Sequence, residues 1–151
     1  MSLQKGDKVP GFTLKNQDGE DFNISSLIGV KPFVIFFYPR DFTPGCTKEA
    51  CAFRDSYQDF KDYGAEVIGI SSDSEEKHRK FIKSYNLPYI LLSDTEKKVR
   101  RIFGVKNNLF GLLPGRETYV FNKEGKVVMI FNSTESAIHI EKALEALKTI
   151  K

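Results

Sequence analysis

Two cysteines five positions apart, Cys46 and Cys51, are the residues of this 151-residue chain most able to do chemistry. Cys46 follows an apolar run at 33–38 and a polar loop, and it opens a segment with helical spacing. Backbone N–H groups and the helix dipole favour an anion in the first turn of a helix, and therefore favour a thiolate there. Because the thiolate is the nucleophilic form, the pattern predicts a reactive cysteine at position 46.

The cysteine count narrows this chemistry further. Two cysteines are too few for a secreted scaffold held together by disulfides, so redox or metal chemistry is the question. The only histidines, His78 and His139, show no ligand spacing to each other or to the cysteines. We therefore expect no metal site and no cofactor, and we expect both histidines to lie on solvated faces.

The elements that must position the cysteines alternate between strand and helix in the middle of the chain. The predicted strands are a hairpin within 9–24 and the segments 33–38, 66–71, 89–92, 117–122 and 126–132. The predicted helices run from Cys46 to Tyr63, from caps at 72–74 to Tyr85, from a Thr95 cap to Gly104, and over 136–150. An irregular stretch is expected at 105–115. This order predicts an α/β fold with a mixed sheet covered by helices on both faces.

Length and charge exclude several classes of protein. With 40% apolar residues and 151 positions, residues 1–151 are expected to form a single domain. A net charge of +3, with acids and bases intermingled, does not form the basic stripe that nucleic acid requires. No apolar run reaches membrane length and the first residues lack a signal core, so we expect no membrane association and a cytoplasmic location.

Two separate segments resemble one known family. The motif Pro39-x-x-x-Thr43-x-x-Cys46 resembles the active-site motif of peroxiredoxins, which are thiol peroxidases built on an elaborated thioredoxin fold. The spacing of Cys46 and Cys51 and the segment at 110–125 resemble the bacterioferritin-comigratory-protein/PrxQ subfamily, with Arg116 at the position of the family's arginine. The similarity runs over nearly the whole chain, from the VPGFTL segment near the start to the final helix.

The resemblance implies a reaction and a role for each matched residue. Peroxide, either hydrogen peroxide or an organic hydroperoxide, would oxidise Cys46 to a sulfenic acid, and Cys51 would resolve it as an intramolecular disulfide. Thioredoxin or a similar dithiol would then reopen the disulfide. Thr43 and Arg116 would hold the peroxide, and Pro39 would shield the thiolate. A resolving cysteine on the same chain favours a monomer.

Ionisation of the thiol alone cannot account for catalysis of peroxide reduction. A free cysteine, with a pKa of about 8.5, is about 3% thiolate at neutral pH, so full ionisation gains at most about 30-fold. The larger effect must act on the peroxide, through donors that hold it in line and stabilise charge on the departing oxygen. Thr43, the loop N–H groups and the planar guanidinium of Arg116 are the candidate donors.

Several of these residues also have an ordinary structural interpretation. Thr43 could be only a helix cap, and Cys51 alone could be a small core residue. Glu49 could orient an active-site arginine or simply be an exposed helix glutamate. Arg54 has the same ambiguity, with a surface ion pair favoured.

A second function class also remains open, a disulfide exchanger or redox-sensing module without peroxidase activity. Such exchangers usually carry Cys-x-x-Cys, which is absent here.

A disulfide between Cys46 and Cys51 would require the helix to unwind. Residues five apart on a helix rise by about 7.5 Å, which leaves their Cα atoms farther apart than a disulfide generally allows. We therefore predict that the segment 43–53 is helical when reduced and looped when oxidised, with Phe42 and Phe53 leaving their packing.

Overall fold

The computed structural model describes residues 3–105, 116–133 and 135–150. Of the irregular stretch predicted at 105–115, all but Val105 lies outside these residues. Within them, the strands are β1 (Thr13–Asn16), β2 (Asp21–Asn23), β3 (Phe33–Phe37), β4 (Glu66–Ser71), β5 (Ile90–Ser93), β6 (Glu117–Phe121) and β7 (Val127–Asn132). The helices are α1 (Pro44–Asp55), α2 (Tyr57–Asp62), α3 (Glu75–Tyr85), α4 (Lys98–Phe103) and α5 (Ser136–Ile150), with a 3₁₀ turn at Ile24–Ser26.

The strands form one mixed sheet in the order β2-β1-β5-β4-β3-β6-β7. Strands β3, β4 and β5 run parallel, whereas β6 lies antiparallel to β3 and β1 lies antiparallel to β5. The hairpins β1-β2 and β6-β7 form the two edges of the sheet. The α/β fold, the mixed sheet and the N-terminal hairpin predicted from the sequence are confirmed.

Strand β3 lies at the centre and contributes side chains to both faces. All five of its residues are buried, as expected for a continuous apolar run covered on both sides. Val34 and Phe36 face the core beneath α1, α3 and α5, while Phe33 and Phe37 face a second core with α4 and the 3₁₀ turn. The loop that follows β3 therefore starts between the two packed cores on either face of the sheet.

The helix predicted from Cys46 to Tyr63 is divided in two. Ser56 ends α1 and begins α2, with φ −100° and ψ 6° in place of helical angles. Hydrogen bonds from Ser56 N to the Ala52 carbonyl and from Phe60 N to the Ser56 carbonyl span the break. The prediction of one continuous helix is wrong because apolar spacing continues unchanged across the junction.

The cap of α4 also differs from the prediction. Asp94, not Thr95, accepts hydrogen bonds from the backbone N–H groups of Val99 and Arg100. The helix starts three residues after Thr95, preceded by Lys97 in the left-handed conformation. In the part of the chain that the structure describes, no helix is both long and apolar enough to cross a bilayer.

Candidate active site

Cys46 lies in the first turn of α1, where the sequence placed it. The helix begins at Pro44, whose missing N–H costs nothing at this position, and Thr43 is the N-cap residue. The first helical hydrogen bond runs from Thr47 N to the Thr43 carbonyl at 2.8 Å. Cys46 is only 2% exposed and lies at a helix start, where backbone N–H groups without helical partners favour an anion.

Arg116 reaches Cys46 because of the register between β3 and β6. Phe37, the last residue of β3, pairs with Glu117, the first residue of β6. Arg116 therefore immediately precedes β6 at the edge of the sheet where the cysteine loop leaves β3. Its Nη2 donates to Cys46 Sγ at 3.4 Å. A Cβ atom at position 45 would lie 3.1 Å from this same nitrogen, so Gly45 leaves room for the guanidinium.

Glu49 holds the other side of the guanidinium. Its Oε1 accepts from Arg116 Nη1 at 2.7 Å, and its side chain is fully buried. Burial raises the pKa of Glu49 to about 7, although Arg116 opposes this shift. Burial lowers the pKa of Arg116, but Glu49 and Cys46 outweigh it and raise that pKa overall. Of the two interpretations of Glu49, the structure supports contact with the arginine and not an exposed position.

A buried histidine lies behind Glu49. His139 Nδ1 is 3.7 Å from Glu49 Oε2, an oxygen without a hydrogen-bond partner among the described residues. His139 Nε2 faces the Ser133 carbonyl at 2.8 Å, so this nitrogen carries the proton, and Nδ1 accepts from the Thr118 hydroxyl at 2.7 Å. Burial lowers the pKa of His139 to about 4, against the effect of the Ser133 carbonyl.

Thr43 and Pro39 lie in the loop between β3 and α1. The Thr43 hydroxyl donates to the Arg40 carbonyl at 2.9 Å and makes no capping bond, although Thr43 occupies the N-cap position. The interpretation of its side chain as a helix cap is therefore wrong. Pro39 is half-buried.

Cys51 shares α1 with Cys46, and both thiols are free. Cys51 is half-buried, more accessible than Cys46. The carbonyl of the preceding residue, Ala50, accepts a hydrogen bond from the Tyr89 hydroxyl at 2.6 Å. Arg54 makes the surface ion pair expected of it, with Asp55 at 3.0 Å, and also donates to the Tyr85 carbonyl.

The sequence interpretation of both histidines is wrong, because both are fully buried. His78 shares the helical spacing of the apolar residues Phe81, Ile82 and Tyr85, and that spacing was a usable signal. His139 likewise precedes Ile140 and lies four residues before the buried Ala143. In each case the apolar helix face that carries the histidine indicates burial, although the side chain itself is polar.

Comparison with known proteins identifies the chain. The model of the AhpC/TSA family matches residues 5–130. The chain belongs to this family, the peroxiredoxins. Within it, the chloroplastic peroxiredoxin Q of Sedum lineare is 53% identical over 150 residues, covering 99% of this chain and 80% of that protein.

Solved structures agree with the peroxiredoxin assignment. The peroxidoxin BcpB of Mycobacterium tuberculosis superposes with a TM-score of 0.90 at 40% identity, covering 99% of both chains. The bacterioferritin comigratory protein of Xanthomonas campestris, described with its alkyl peroxide reduction activity, has a TM-score of 0.84 at 30% identity, covering 92% of this chain and 91% of that one. This peroxiredoxin is therefore of the PrxQ type, and it is a thiol-dependent peroxidase with an antioxidant role.

The comparisons also correct one sequence-based prediction about this peroxiredoxin. A cytoplasmic location was expected from the absence of a signal core. That prediction is wrong, because the plant relatives that match nearly all of the chain, including those of Sedum lineare and Arabidopsis thaliana, are named chloroplastic proteins.

Proposed function

We propose that Cys46 is the peroxidatic cysteine and that Cys51 resolves it within the same chain. The observation that carries this proposal is the contact between Cys46 Sγ and Arg116 at the start of α1. A buried sulfur beside a fixed cation and helix N–H groups is suited to ionisation and to attack on a small oxidant. Cys51 interacts electrostatically with Arg54 and not with the buried Arg116 site, and it lies on the same helix and is more accessible.

The reaction balances with these groups. The Cys46 thiolate attacks one peroxide oxygen, the S–O bond forms and the O–O bond breaks. The electron pair leaves with the second oxygen, which takes up a proton to become water or an alcohol. The Cys51 thiolate then attacks the sulfenic sulfur, the disulfide forms and hydroxide departs as water. A thioredoxin-like dithiol reduces that disulfide by exchange and is itself oxidised.

Arg116, Thr43 and Pro39 act on the peroxide. The guanidinium offers donors in one plane, fixed by Glu49 on one side, so it can face charge on the departing oxygen without reorganising. The Thr43 hydroxyl donates its proton to the Arg40 carbonyl, so its oxygen can accept a hydrogen bond from the peroxide O–H, and Pro39 has no N–H that could hold water.

An assay with thioredoxin and its reductase tests the proposal, with hydrogen peroxide and an organic hydroperoxide as separate substrates. Cys46→Ser should abolish consumption of both. Cys51→Ser should complete a single stoichiometric turnover, fail to recycle with thioredoxin, and accumulate over-oxidised Cys46 that mass spectrometry detects.

The opposite pattern would reverse the assignment of the two cysteines. Replacing thioredoxin with glutaredoxin and glutathione in the same assay identifies the reductant. Sedimentation of reduced and oxidised protein tests the further proposal that the enzyme works as a monomer.

A further inference from the structure

The loop that carries Pro39 and Thr43 is anchored by a buried carboxylate, Asp41. This side chain is only 1% exposed, and both of its oxygens are hydrogen-bonded. Oδ1 accepts from the Tyr38 hydroxyl at 2.5 Å, and Oδ2 lies 2.6 Å from His78 Nδ1. An isolated carboxylate would be costly at such a site, so these partners are needed for it to be there.

His78 completes a buried hydrogen-bonded pair with Asp41. Its ring is fully buried, and its second nitrogen, Nε2, lies 3.1 Å from the Leu92 carbonyl in β5. The Leu92 carbonyl can only accept, so Nε2 donates to it, and Nδ1 shares a short hydrogen bond with the Asp41 carboxyl group. The loop is thereby tied at one point to α3 and to the end of β5.

The backbone N–H of Asp41 is also hydrogen-bonded. Asp41 N–H donates to Asp73 Oδ2 at 2.7 Å, and the same oxygen accepts from the Ser71 hydroxyl. Lys77 Nζ lies 3.1 Å from Asp73 Oδ1. Burial raises the pKa of Asp73, but the bonds from Asp41, Ser71 and Lys77 outweigh it and lower that pKa overall.

This cluster contains residue types that bind metals. One ligand atom from each of Asp41, Asp73 and His78 lies within 4.8 Å of the others, although the sequence showed no ligand spacing. These atoms, however, are occupied by one another and by Tyr38, Ser71 and Leu92. The arrangement is that of a hydrogen-bond network, not of open ligands converging on a vacant point.

The residue after Asp41 shows why the loop needs such an anchor. Phe42 has a φ of 66°, a left-handed conformation that costs a bulky residue roughly 1–3 kcal/mol. The residue is 43% exposed, so burial of the side chain recovers only part of that cost. Such a conformation persists only where surrounding contacts impose it.

We propose that the Asp41–His78 pair is a positioning device for peroxide reduction, which holds the loop so that Thr43 faces the Cys46 site. The connection is short, because the Thr43 hydroxyl bonds to the carbonyl of Arg40, the residue before Asp41. The strained Phe42 lies between Asp41 and Thr43. This inference rests on the role proposed above for Thr43.

Two substitutions at position 41 separate the hydrogen bonds of the side chain from its charge. Asp41→Asn keeps the shape: its oxygen can accept from Tyr38 and its amide can donate to His78. We expect it to stay within about 3-fold of the wild-type rate constant with hydrogen peroxide, whereas Asp41→Ala should lose between about 10- and 100-fold. The surface variant Asp21→Ala, which loses only an exposed ion pair with Lys15, is the matched control and should be unchanged.

A second readout distinguishes positioning from general destabilisation. Alkylation of Cys46 by iodoacetamide needs the thiolate but not the peroxide site. We expect the alkylation rate of Asp41→Ala to stay within about 2-fold of wild type, at a temperature where circular dichroism shows it folded. Equal losses in both reactions, a wild-type peroxide rate in Asp41→Ala, or an Asp41→Asn variant as slow as Asp41→Ala would each overturn the inference.

Two further variants keep the test decisive. If Asp41→Ala does not fold, Tyr38→Phe removes one bond to Asp41, and a wild-type peroxide rate there would count against the proposal. Thr43→Val separates the proposed role of Thr43 from the positioning role of Asp41 and His78. A normal rate in Thr43→Val removes the proposed role of Thr43 itself, whereas a slow Thr43→Val with a normal Asp41→Ala removes only the positioning role of Asp41 and His78.

Discussion

Arg116 and Glu49 form a buried ion pair, with Nη1 of the arginine 2.7 Å from Oε1 of the glutamate. The second terminal nitrogen of the same guanidinium donates to the Cys46 sulfur. Glu49 therefore fixes the plane of the arginine as well as sharing its charge. A point charge at this position could not make both contacts in one fixed geometry.

Arg116→Lys should separate the charge of the residue from its shape. The lysine keeps a positive charge near Cys46 but cannot bridge Glu49 and the sulfur in one plane. We expect the rate constant with hydrogen peroxide to fall by about 10-fold or more, while alkylation of Cys46 by iodoacetamide changes much less. If the two rates fall in parallel, the arginine acts only by ionising the thiol, and the action on the peroxide proposed for it is wrong.

Glu49 and His139 should impose opposite pH dependences on stability. Because the pKa of Glu49 is raised from 4.5 to about 7, the folded protein retains a proton there that the unfolded chain loses, so the free energy of unfolding falls as the pH rises through this window. The pKa of His139 is lowered from 6.5 to about 4, so its contribution rises with pH through that window. In the wild type the two largely cancel.

Glu49→Gln should expose the contribution of His139. Relative to the wild type, its free energy of unfolding should increase by up to about 1.4 kcal/mol per pH unit between pH 4.5 and about 7. Urea unfolding of the reduced proteins across this range measures the difference. The reciprocal variant His139→Gln should show the opposite slope, and a difference that does not change with pH in either variant would contradict these assignments.

Features with a local sequence pattern could be predicted, whereas features that depend on distant partners could not. The bounds of β4 and α5 and the helix-start position of Cys46 were predictable, because a buried strand and an amphipathic helix leave local patterns. The burial of Glu49 was not, since its partner Arg116 lies on another element, and the helical spacing that indicates burial of the two histidines does not reveal the partners that stabilise them. A buried charge is stable only beside a group that single-sequence patterns do not locate.

Formation of the Cys46–Cys51 disulfide should unwind the first part of α1. Hydrogen exchange should show lower protection at residues 46–51 in the oxidised protein than in the reduced one. Phe42, already exposed, should lose its contacts with Phe81 and Tyr85 at little cost. Equal protection in both states, with the disulfide established by mass, would exclude unwinding.

The sequence predicted that Phe53 would also leave its packing, and the structure makes that step expensive. Phe53 is fully buried, stacked on Phe36 at 4.4 Å and in contact with Phe60. Releasing a buried phenylalanine costs roughly 1.5–3 kcal/mol. We therefore expect the loss of protection to stop before Phe53, and equal loss on both sides of it would contradict this limit.

Tyr89→Phe should make the same unwinding easier. The buried Tyr89 hydroxyl bonds to the Ala50 carbonyl, which lies between the two cysteines on α1. Losing that bond should weaken the folded helix by about 0.5–1.5 kcal/mol and shift its equilibrium toward the unwound form by roughly 2- to 10-fold. Disulfide formation after one peroxide equivalent should be faster, and less Cys46 should be over-oxidised at high peroxide.

Tyr57→Phe provides the control for this experiment. It removes a tyrosine hydroxyl that bonds to Glu66, on α2 rather than on the cysteine helix. Its rate of disulfide formation should equal that of the wild type. If Tyr89→Phe matches this control, the bond to Ala50 does not restrain the helix.

The break at Ser56 gives the unwinding of α1 a place to stop. Helix melting spreads along a continuous helical segment, since each residue released weakens its neighbour. Here α1 is 12 residues long and ends at Ser56, which has non-helical angles and is shared with the start of α2, and α2 keeps its buried Phe60. The opening of α1 can therefore be a sub-global event, with a free energy set by one short helix rather than by the stability of the whole protein. Repeated redox cycles then need never pass through an unfolded core.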